Sequence, residues 1–288
     1  MTPKARKQFA QHWLRSEEAL NSIVAAAQLQ KSDRASSVRA APLTHTSQAD
    51  RILEIGPGTG ILTRRLLPEV QSVVAVEIDR DLCKLLVQKF RSFENFLLLQ
   101  GDFLTLDLDA NLASFPNFQH PNKVVANIPY NITGPILEKL LGTISQPAAK
   151  PFDLIVLLVQ KEVAERLYAR PGSRAFGALS VRVQYLAECE LICNVPAKAF
   201  SPPPKVDSAV VRLRPRPMEP QAVEPKQFDN LVKLGFSSKR KMLRNNLKSV
   251  VESDRLTQLL EQLNVNPQAR AEDLSVQKWV ALANELHG

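Results

Sequence analysis

Short apolar runs and helix-length amphipathic segments alternate along the middle of this chain. Strand-like runs lie at 51–55, 72–78, 96–100, 123–127 and 153–159. Between them, apolar residues recur at helical spacing near 60–67, 79–91, 133–141 and 160–169. Strands separated by helix-length segments predict right-handed βαβ units and a doubly wound, mostly parallel α/β sheet. A further helical pattern near 177–186 leads to two runs, 187–195 and 206–213, joined through Ser201-Pro202-Pro203-Pro204. So close a connection predicts an antiparallel pair at the sheet edge.

The ends of the chain follow other patterns. From Ser16 to Leu29 the positions Ala19, Leu20, Ile23, Val24 and Ala27 follow helical spacing, with Ser16 as N-cap and Glu17 and Glu18 in the first turn. Residues 31–50 are polar and irregular, which predicts a loop or insertion. The run Arg214-Pro215-Arg216-Pro217-Met218-Glu219-Pro220 blocks helix and central strand alike and marks a domain boundary. Beyond it the pattern is helical to the end. The expected organisation is an arm and helix over 1–30, a polar loop over 31–50, an α/β domain over 51–214 and a small all-α domain over 215–288.

Composition narrows the partners. At 288 residues the chain can bury a full core. Its 37 Lys and Arg against 29 Asp and Glu leave a net charge of +8, which suits a polyanion. Cys83, Cys189 and Cys193 form no zinc pair, and no metal is expected. The longest apolar run, Leu154 to Val159, is strand-sized, so no membrane partner is expected. The first sixteen residues lack acid and carry Lys4, Arg6, Lys7 and Arg15 without an apolar signal core. They read as a basic arm of a cytoplasmic protein.

Two segments carry chemistry. Gly56-Pro57-Gly58-Thr59-Gly60 closes the first strand of the α/β region, where backbone can approach a nucleotide-like cofactor at a helix N-terminus. Glu77 ends the next strand, placed to accept from ribose hydroxyls, and Asp102 follows the third, placed to accept from an adenine amino group. The second segment is Asn127-Ile128-Pro129-Tyr130, at the end of the fourth strand. The Asn127 amide oxygen and the carbonyl of Ile128 or Pro129 can accept both N–H bonds of a planar exocyclic amine. Pro129 biases Ile128 to an extended conformation, and Tyr130 offers a ring face for an extruded base. A nicotinamide oxidoreductase could share the glycine turn but leaves this tetrapeptide unexplained.

Four blocks resemble the KsgA-type rRNA adenine N6-dimethyltransferase family: Leu53–Gly60, Asn127–Ile132, Phe200–Val211 and Gly235–Leu247. The resemblance runs from about residue 4 to the C-terminus. It implies a Rossmann-like class I methyltransferase that uses S-adenosylmethionine to dimethylate two adjacent adenines in the 3′-terminal hairpin of 16S rRNA, within a small-subunit precursor. Cofactor contacts would fall on His12, Leu14, Gly56, Gly58, Gly60, Glu77, Asp102 and Asn127. Asn127, Pro129 and Tyr130 would serve the target base, with Phe200 as its second stacking wall. The family usually shows Gln-Asn-Phe-Leu where this chain has Gln11-His12-Trp13-Leu14, and 31–50 exceeds the family length. Positioning would supply most of the catalysis, without a metal, and a monomer is expected.

The C-terminal region supplies the RNA side. Seven Lys and Arg against one acid fall between Lys226 and Lys248. Arg240, Arg244 and Lys248 recur every four residues, predicting a basic stripe on one helix face, with Leu243, Leu247 and Val250 on a buried one. Lys205, Lys239 and Lys241 join them as candidate phosphate contacts. Two alternatives share the fold: a 23S rRNA adenine methyltransferase of the antibiotic-resistance type, and a non-catalytic RNA-binding assembly or transcription factor.

Overall fold

The computed structural model describes Arg6, residues 11–30 and residues 49–287. Most of the basic arm and all but the end of the polar stretch 31–50 lie outside the described residues. The chain divides into two compact units. One comprises residues up to Ile136 with Phe152–Lys161 and Leu191–Leu213; the other comprises Leu137–Pro151, Glu162–Glu190 and Arg214 onward. Beside the stretch from Arg214, the second unit takes in two earlier segments.

The strands are β1 (Trp13–Leu14), β2 (Arg51–Ile55), β3 (Ser72–Glu77), β4 (Phe96–Gln100), β5 (Lys123–Asn127), β6 (Leu154–Gln160), β7 (Ala187–Val195), β8 (Phe200–Ser201) and β9 (Ser208–Pro215). Seven of them form one sheet in the order β4-β3-β2-β5-β6-β9-β7, and β1 pairs with β8 separately. β4, β3, β2, β5 and β6 run parallel, and β9 is antiparallel to β6. Buried on both faces, the central parallel strands read as continuous apolar runs, so their limits match the expected ones closely. β9 starts two residues later than expected. The triple proline removes ladder donors ahead of it, and the Asp207 side chain turns back to accept from the Ala197 amide.

In the first unit, helices α1 (Glu17–Ala26), α2 (Thr63–Leu66), α3 (Arg80–Phe90) and α4 (Leu108–Leu112) accompany the sheet. Ser16 caps α1 by accepting from the Ala19 amide, as expected. α2 is shorter than the pattern over 60–67, because the glycine turn and the residues after it precede it. Leu20, Ile23, Ile52, Leu66, Val73, Leu86 and Val156 centre the core of this unit. At the foot of β2 and β5, buried Lys123 donates to Asp50 Oδ2 and to the Gln28 carbonyl, each at 2.7 Å. Asp50 also accepts from the Gln30 amide and from Asn122. A buried charge is tolerated only when paired and hydrogen-bonded, and this network ties α1 to the strands.

α5 (Thr133–Leu141) and α6 (Lys161–Leu167) each start in the first unit and end in the second. The second unit also holds α7 (Ala178–Leu186), α8 (Pro225–Gly235), α9 (Leu243–Leu247), α10 (Ser253–Gln262) and α11 (Val276–Glu285). Its core is built on the fully buried Phe176, Phe228 and Trp279. Tyr185 meets Phe228 edge-on, and Phe236 leans against Trp279 at 5.6 Å. After residue 215 the described chain is helical, as expected. No helix among the described residues is long and apolar enough to cross a membrane.

Candidate active site

The order of strands reverses between β2 and β5: β3 and β4 lie to one side, β6 to the other. Ligands bind α/β sheets at such a point, beyond the strand C-termini. Here one cavity is lined by the loop after β2, the ends of β3 and β5, the residues after β4, and the segment Gln11–Leu14.

Gly56, Gly58 and Gly60 all have positive φ, the left-handed region that suits glycine. They divide in role. Gly56 and Gly58 line the cavity, whereas Gly60 does not. A Cβ on Gly60 would lie 2.5 Å from the Phe90 ring, so this glycine lets the turn sit on α3. Glu77 is buried and fastens the loop: its Oε2 accepts from the Gly58 amide at 3.1 Å and its Oε1 from the Asp79 amide at 2.9 Å. Burial raises its pKa, opposed by those two amides. Asp102 lines the same cavity and accepts from the Leu104 amide.

Asn127 ends β5, and Ile128, Pro129 and Tyr130 follow it along the cavity wall. Pro129 is extended, at φ −60° and ψ 133°. Its carbonyl accepts from the Ile132 amide at 3.3 Å, closing a short 3₁₀ turn. The Asn127 amide nitrogen donates to the His12 carbonyl over a long 3.4 Å, so its oxygen is the acceptor left to the cavity. The Tyr130 hydroxyl bonds Ser208 at 2.6 Å. Burial raises the Tyr130 pKa, and the Ser208 bond acts against it.

His12 and Leu14 also line the cavity. The His12 ring stacks near-parallel on Tyr130, with centroids 6.0 Å apart, and its Nδ1 lies 2.8 Å from the Pro202 carbonyl. Phe200 differs from the expectation. It is buried in the core, pairs with Leu14 across β1 and β8, and does not border the cavity. The aromatic ring facing Tyr130 in this structure is His12.

Sequence reasoning passed over four residues here. Trp13 borders the cavity with a buried indole Nε1 that has no partner among the described residues. Ile78, 46% exposed, presents an apolar face at the rim. Ser208 anchors Tyr130, as above. Glu54, in β2, borders the cavity at 1% exposure, with the Thr63 hydroxyl donating to it at 2.6 Å. Burial pushes its carboxyl up to about 8, and nearby Glu77 adds to the rise. The signal for Glu54 was an acid inside an otherwise apolar central strand. Together Glu54, Glu77 and Asp102 give the lining three carboxyls and, among the described residues, neither Lys nor Arg. So acidic a lining suits a cationic ligand, which favours ionised carboxyls, and opposes the pyrophosphate of a dinucleotide.

The candidate phosphate contacts other than Lys205 lie in the second unit, and the expected helical stripe is not formed. α9 spans only Leu243–Leu247, and Arg240 lies before it in a turn. Met242 is extended and bridges to Arg270, which breaks the helix between Arg240 and Arg244. Val250 is 50% exposed rather than buried, while Leu243 and Leu247 are fully buried. Lys239, Arg240 and Lys241 share an exposed turn. Buried Asn246 holds that turn by donating to the carbonyls of Gly235 and Ser238. Lys239 also donates to the Arg174 carbonyl. Lys248 and Lys205 are exposed, and Arg244 is half-buried. The cysteines are free, Cys83 buried and the other two partly so. No cluster suited to a metal ion occurs among the described residues.

Comparison with known proteins agrees with this geometry. The model of the ribosomal RNA adenine dimethylase family matches residues 2–287. Ribosomal RNA small subunit methyltransferase A of Nostoc punctiforme is 70% identical, over 98% of this chain and 95% of that one. Its namesake in Rippkaea orientalis is 61% identical, over 99% and 98%. A dimethyladenosine transferase from Plasmodium falciparum superposes with a TM-score of 0.75 at 27% identity, covering 96% of this chain and 98% of that one. The 23S rRNA methyltransferase ErmE gives 0.72 at 26%, covering 96% and 100%. The chain belongs to the ribosomal RNA adenine dimethylase family.

Proposed function

We propose that this protein dimethylates N6 of two adjacent adenines in the 3′-terminal hairpin of 16S rRNA, within a small-subunit precursor, with S-adenosylmethionine as methyl donor. The observation that carries the reading is the Asn127-Ile128-Pro129-Tyr130 segment on β5 beside the glycine loop on β2, at one cavity.

The site fits the donor. An acidic lining with no Lys or Arg among the described residues suits a ligand bearing sulfonium and ammonium charges. The Trp13 indole N–H, without a partner among the described residues, offers a donor, Ile78 a face for a planar ring, and Glu77 and Asp102 acceptors for hydroxyl and amino groups. Bound there, S-adenosylmethionine supplies an electrophilic methyl on a cationic sulfur.

The protein's own contribution is placement. The adenine amine is a poor nucleophile because its lone pair is delocalised into the ring. The Asn127 amide oxygen and the Ile128 carbonyl accept its two N–H bonds; the Pro129 carbonyl is engaged by Ile132. Held so, the nitrogen keeps its lone pair toward the donor. Tyr130 gives the extruded base a ring to stack on. Lys205, Lys239, Arg240, Lys241, Arg244 and Lys248 are the candidate phosphate contacts, and none needs a shared helix face for that task.

The 16S assignment over the 23S one rests on the high identity to proteins named for the small subunit, against 26% to ErmE. Incubation with labelled S-adenosylmethionine and under-methylated small subunits should yield N6,N6-dimethyladenosine in 16S rRNA, and Asn127→Ala should abolish it. Label appearing only in 23S rRNA would overturn the substrate. Cofactor binding without transfer to either RNA would favour the non-catalytic RNA-binding reading.

A further inference from the structure

Glu54 is the one buried acid at the cavity to which the chemistry above gives no task. Its register partner on β3 is Ala75, so Glu54 and Glu77 project from the same face of neighbouring strands. The groups that face it are few. Thr63 on α2 donates to it, Glu77 on β3 opposes its ionisation, and Lys89 on α3 favours it from further off. Lys89 is itself occupied, donating to the Thr59 carbonyl at 2.7 Å. The two carboxyls are not equivalent. Backbone amides hold both oxygens of Glu77 and favour its charged form. Among the described residues Glu54 has only Thr63, through its hydroxyl and its backbone amide, in a fully buried position.

We propose that Glu54 senses the charge in the cavity: it keeps its proton beside Glu77, gives it up when a cationic ligand enters, and takes one back when that ligand becomes neutral. The inference rests on the reading of S-adenosylmethionine as donor, because methyl transfer is such a neutralisation. The sulfur–carbon bond breaks with its electron pair left on sulfur. The adenine nitrogen forms the new bond with its lone pair, and the amine proton leaves to water. A sulfonium has then become a thioether, the ligand's net charge has fallen by one, and two ionised carboxyls would face one cavity without the sulfonium charge. Glu54 recovers a proton from solvent, and the cavity loses its preference for what it holds. Dimethylation of two adenines needs spent product to be exchanged for fresh donor repeatedly. A carboxyl that grips the cation and relaxes on the thioether favours that exchange.

The test is calorimetric titration of the full chain at pH 7 in buffers of different ionisation enthalpy, with S-adenosylmethionine and with S-adenosylhomocysteine. The donor should release about one proton more than the product does. In Glu54→Gln that difference should vanish. Equal proton counts in the unaltered chain, or an undiminished difference in Glu54→Gln, would overturn the proposal alone. Failure of either ligand to bind would sink the donor reading and this inference with it. Should the variant not fold, the unaltered chain still decides. The ratio of product Kd to donor Kd should rise by roughly tenfold per pH unit from 6 towards 8, then flatten. The sulfonium acidifies the donor's own amino group relative to the product's, so each free ligand is titrated separately and its proton uptake is subtracted from the ratio. A flat ratio refutes the assignment.

Discussion

The hydroxyls of Tyr130 and Ser208 lie 2.6 Å apart and fix the turn after β5 to the first residue of β9. The proposed base platform is therefore held at its tip by a fully buried serine. Tyr130→Phe keeps the ring and loses the tether; Tyr130→Ala loses the stacking face. At about 1–3 kcal/mol per stacked base, Tyr130→Ala should lower kcat/KM at least roughly fivefold. Tyr130→Phe should cost less. Ser208→Ala leaves the phenol partly buried without its partner and should destabilise the fold by about 1 kcal/mol. Steady-state kinetics on small-subunit RNA and urea denaturation check the three. Tyr130→Ala with unaltered kcat/KM would remove the ring from the mechanism.

The glycine turn separates into a ligand-facing part and a packing part. Gly58→Ala places its Cβ 3.4 Å from Trp13, an ordinary contact, but in a left-handed conformation beside the amide that Glu77 holds. Gly60→Ala meets the same backbone strain and drives a methyl to within 2.5 Å of Phe90. Gly60→Ala is therefore the more destabilising, by about 1–3 kcal/mol beyond the strain both variants share. Gly58→Ala should chiefly weaken donor affinity. Denaturant midpoints and donor titration, measured on both variants, should rank them in opposite orders.

Much of the fold was readable because central parallel strands are buried on both faces. Their apolar runs placed β2 and β5 to the residue, and the apolar run of the half-buried edge strand β4 did the same. The cavity at the reversal of strand order followed from the motifs after β2 and β5. What was missed depends on pairing between distant segments. Phe200 turns inward because β8 pairs with β1, nearly two hundred residues earlier, which no local pattern encodes. The basic stripe assumed an unbroken helix, whereas Met242 pairs with Arg270 and ends that periodicity. Glu54 was hidden by its neighbours: one acid in a strand of apolar residues gives no hint of which cavity it meets.

The basic turn leads to a prediction in salt dependence. Removing one cation from a phosphate should reduce the slope of log K against log salt by about 0.7–0.9. Arg240→Ala and Lys241→Ala should each do so, because both side chains are exposed on the turn. Asn246→Ala removes the amide that holds the turn and should lower RNA affinity without any change in charge. Filter binding of the hairpin RNA over a salt series measures all three. Unchanged slopes in the double variant of Arg240 and Lys241 would remove this turn from the RNA interface.

Glu54 also makes stability depend on pH, with a definite sign. Its carboxyl rises from 4.5 to about 8 on folding. Between those values the folded chain binds more protons than the unfolded one, so stability falls as pH rises. The contribution is complete below the unfolded value and is lost as pH climbs through about 8. Glu77 is shifted in the same direction, so the total slope belongs to both residues. Glu54→Gln isolates one part: it should flatten the fall in Tm between pH 5 and 8.5 relative to the unaltered chain. Saturating S-adenosylmethionine should flatten it too, by placing a cation beside the ionised carboxyl. Thermal unfolding of both proteins across that range, with and without donor, measures each effect. Parallel curves for the two proteins would mean that the carboxyl ionises in the folded state as it does in the unfolded chain.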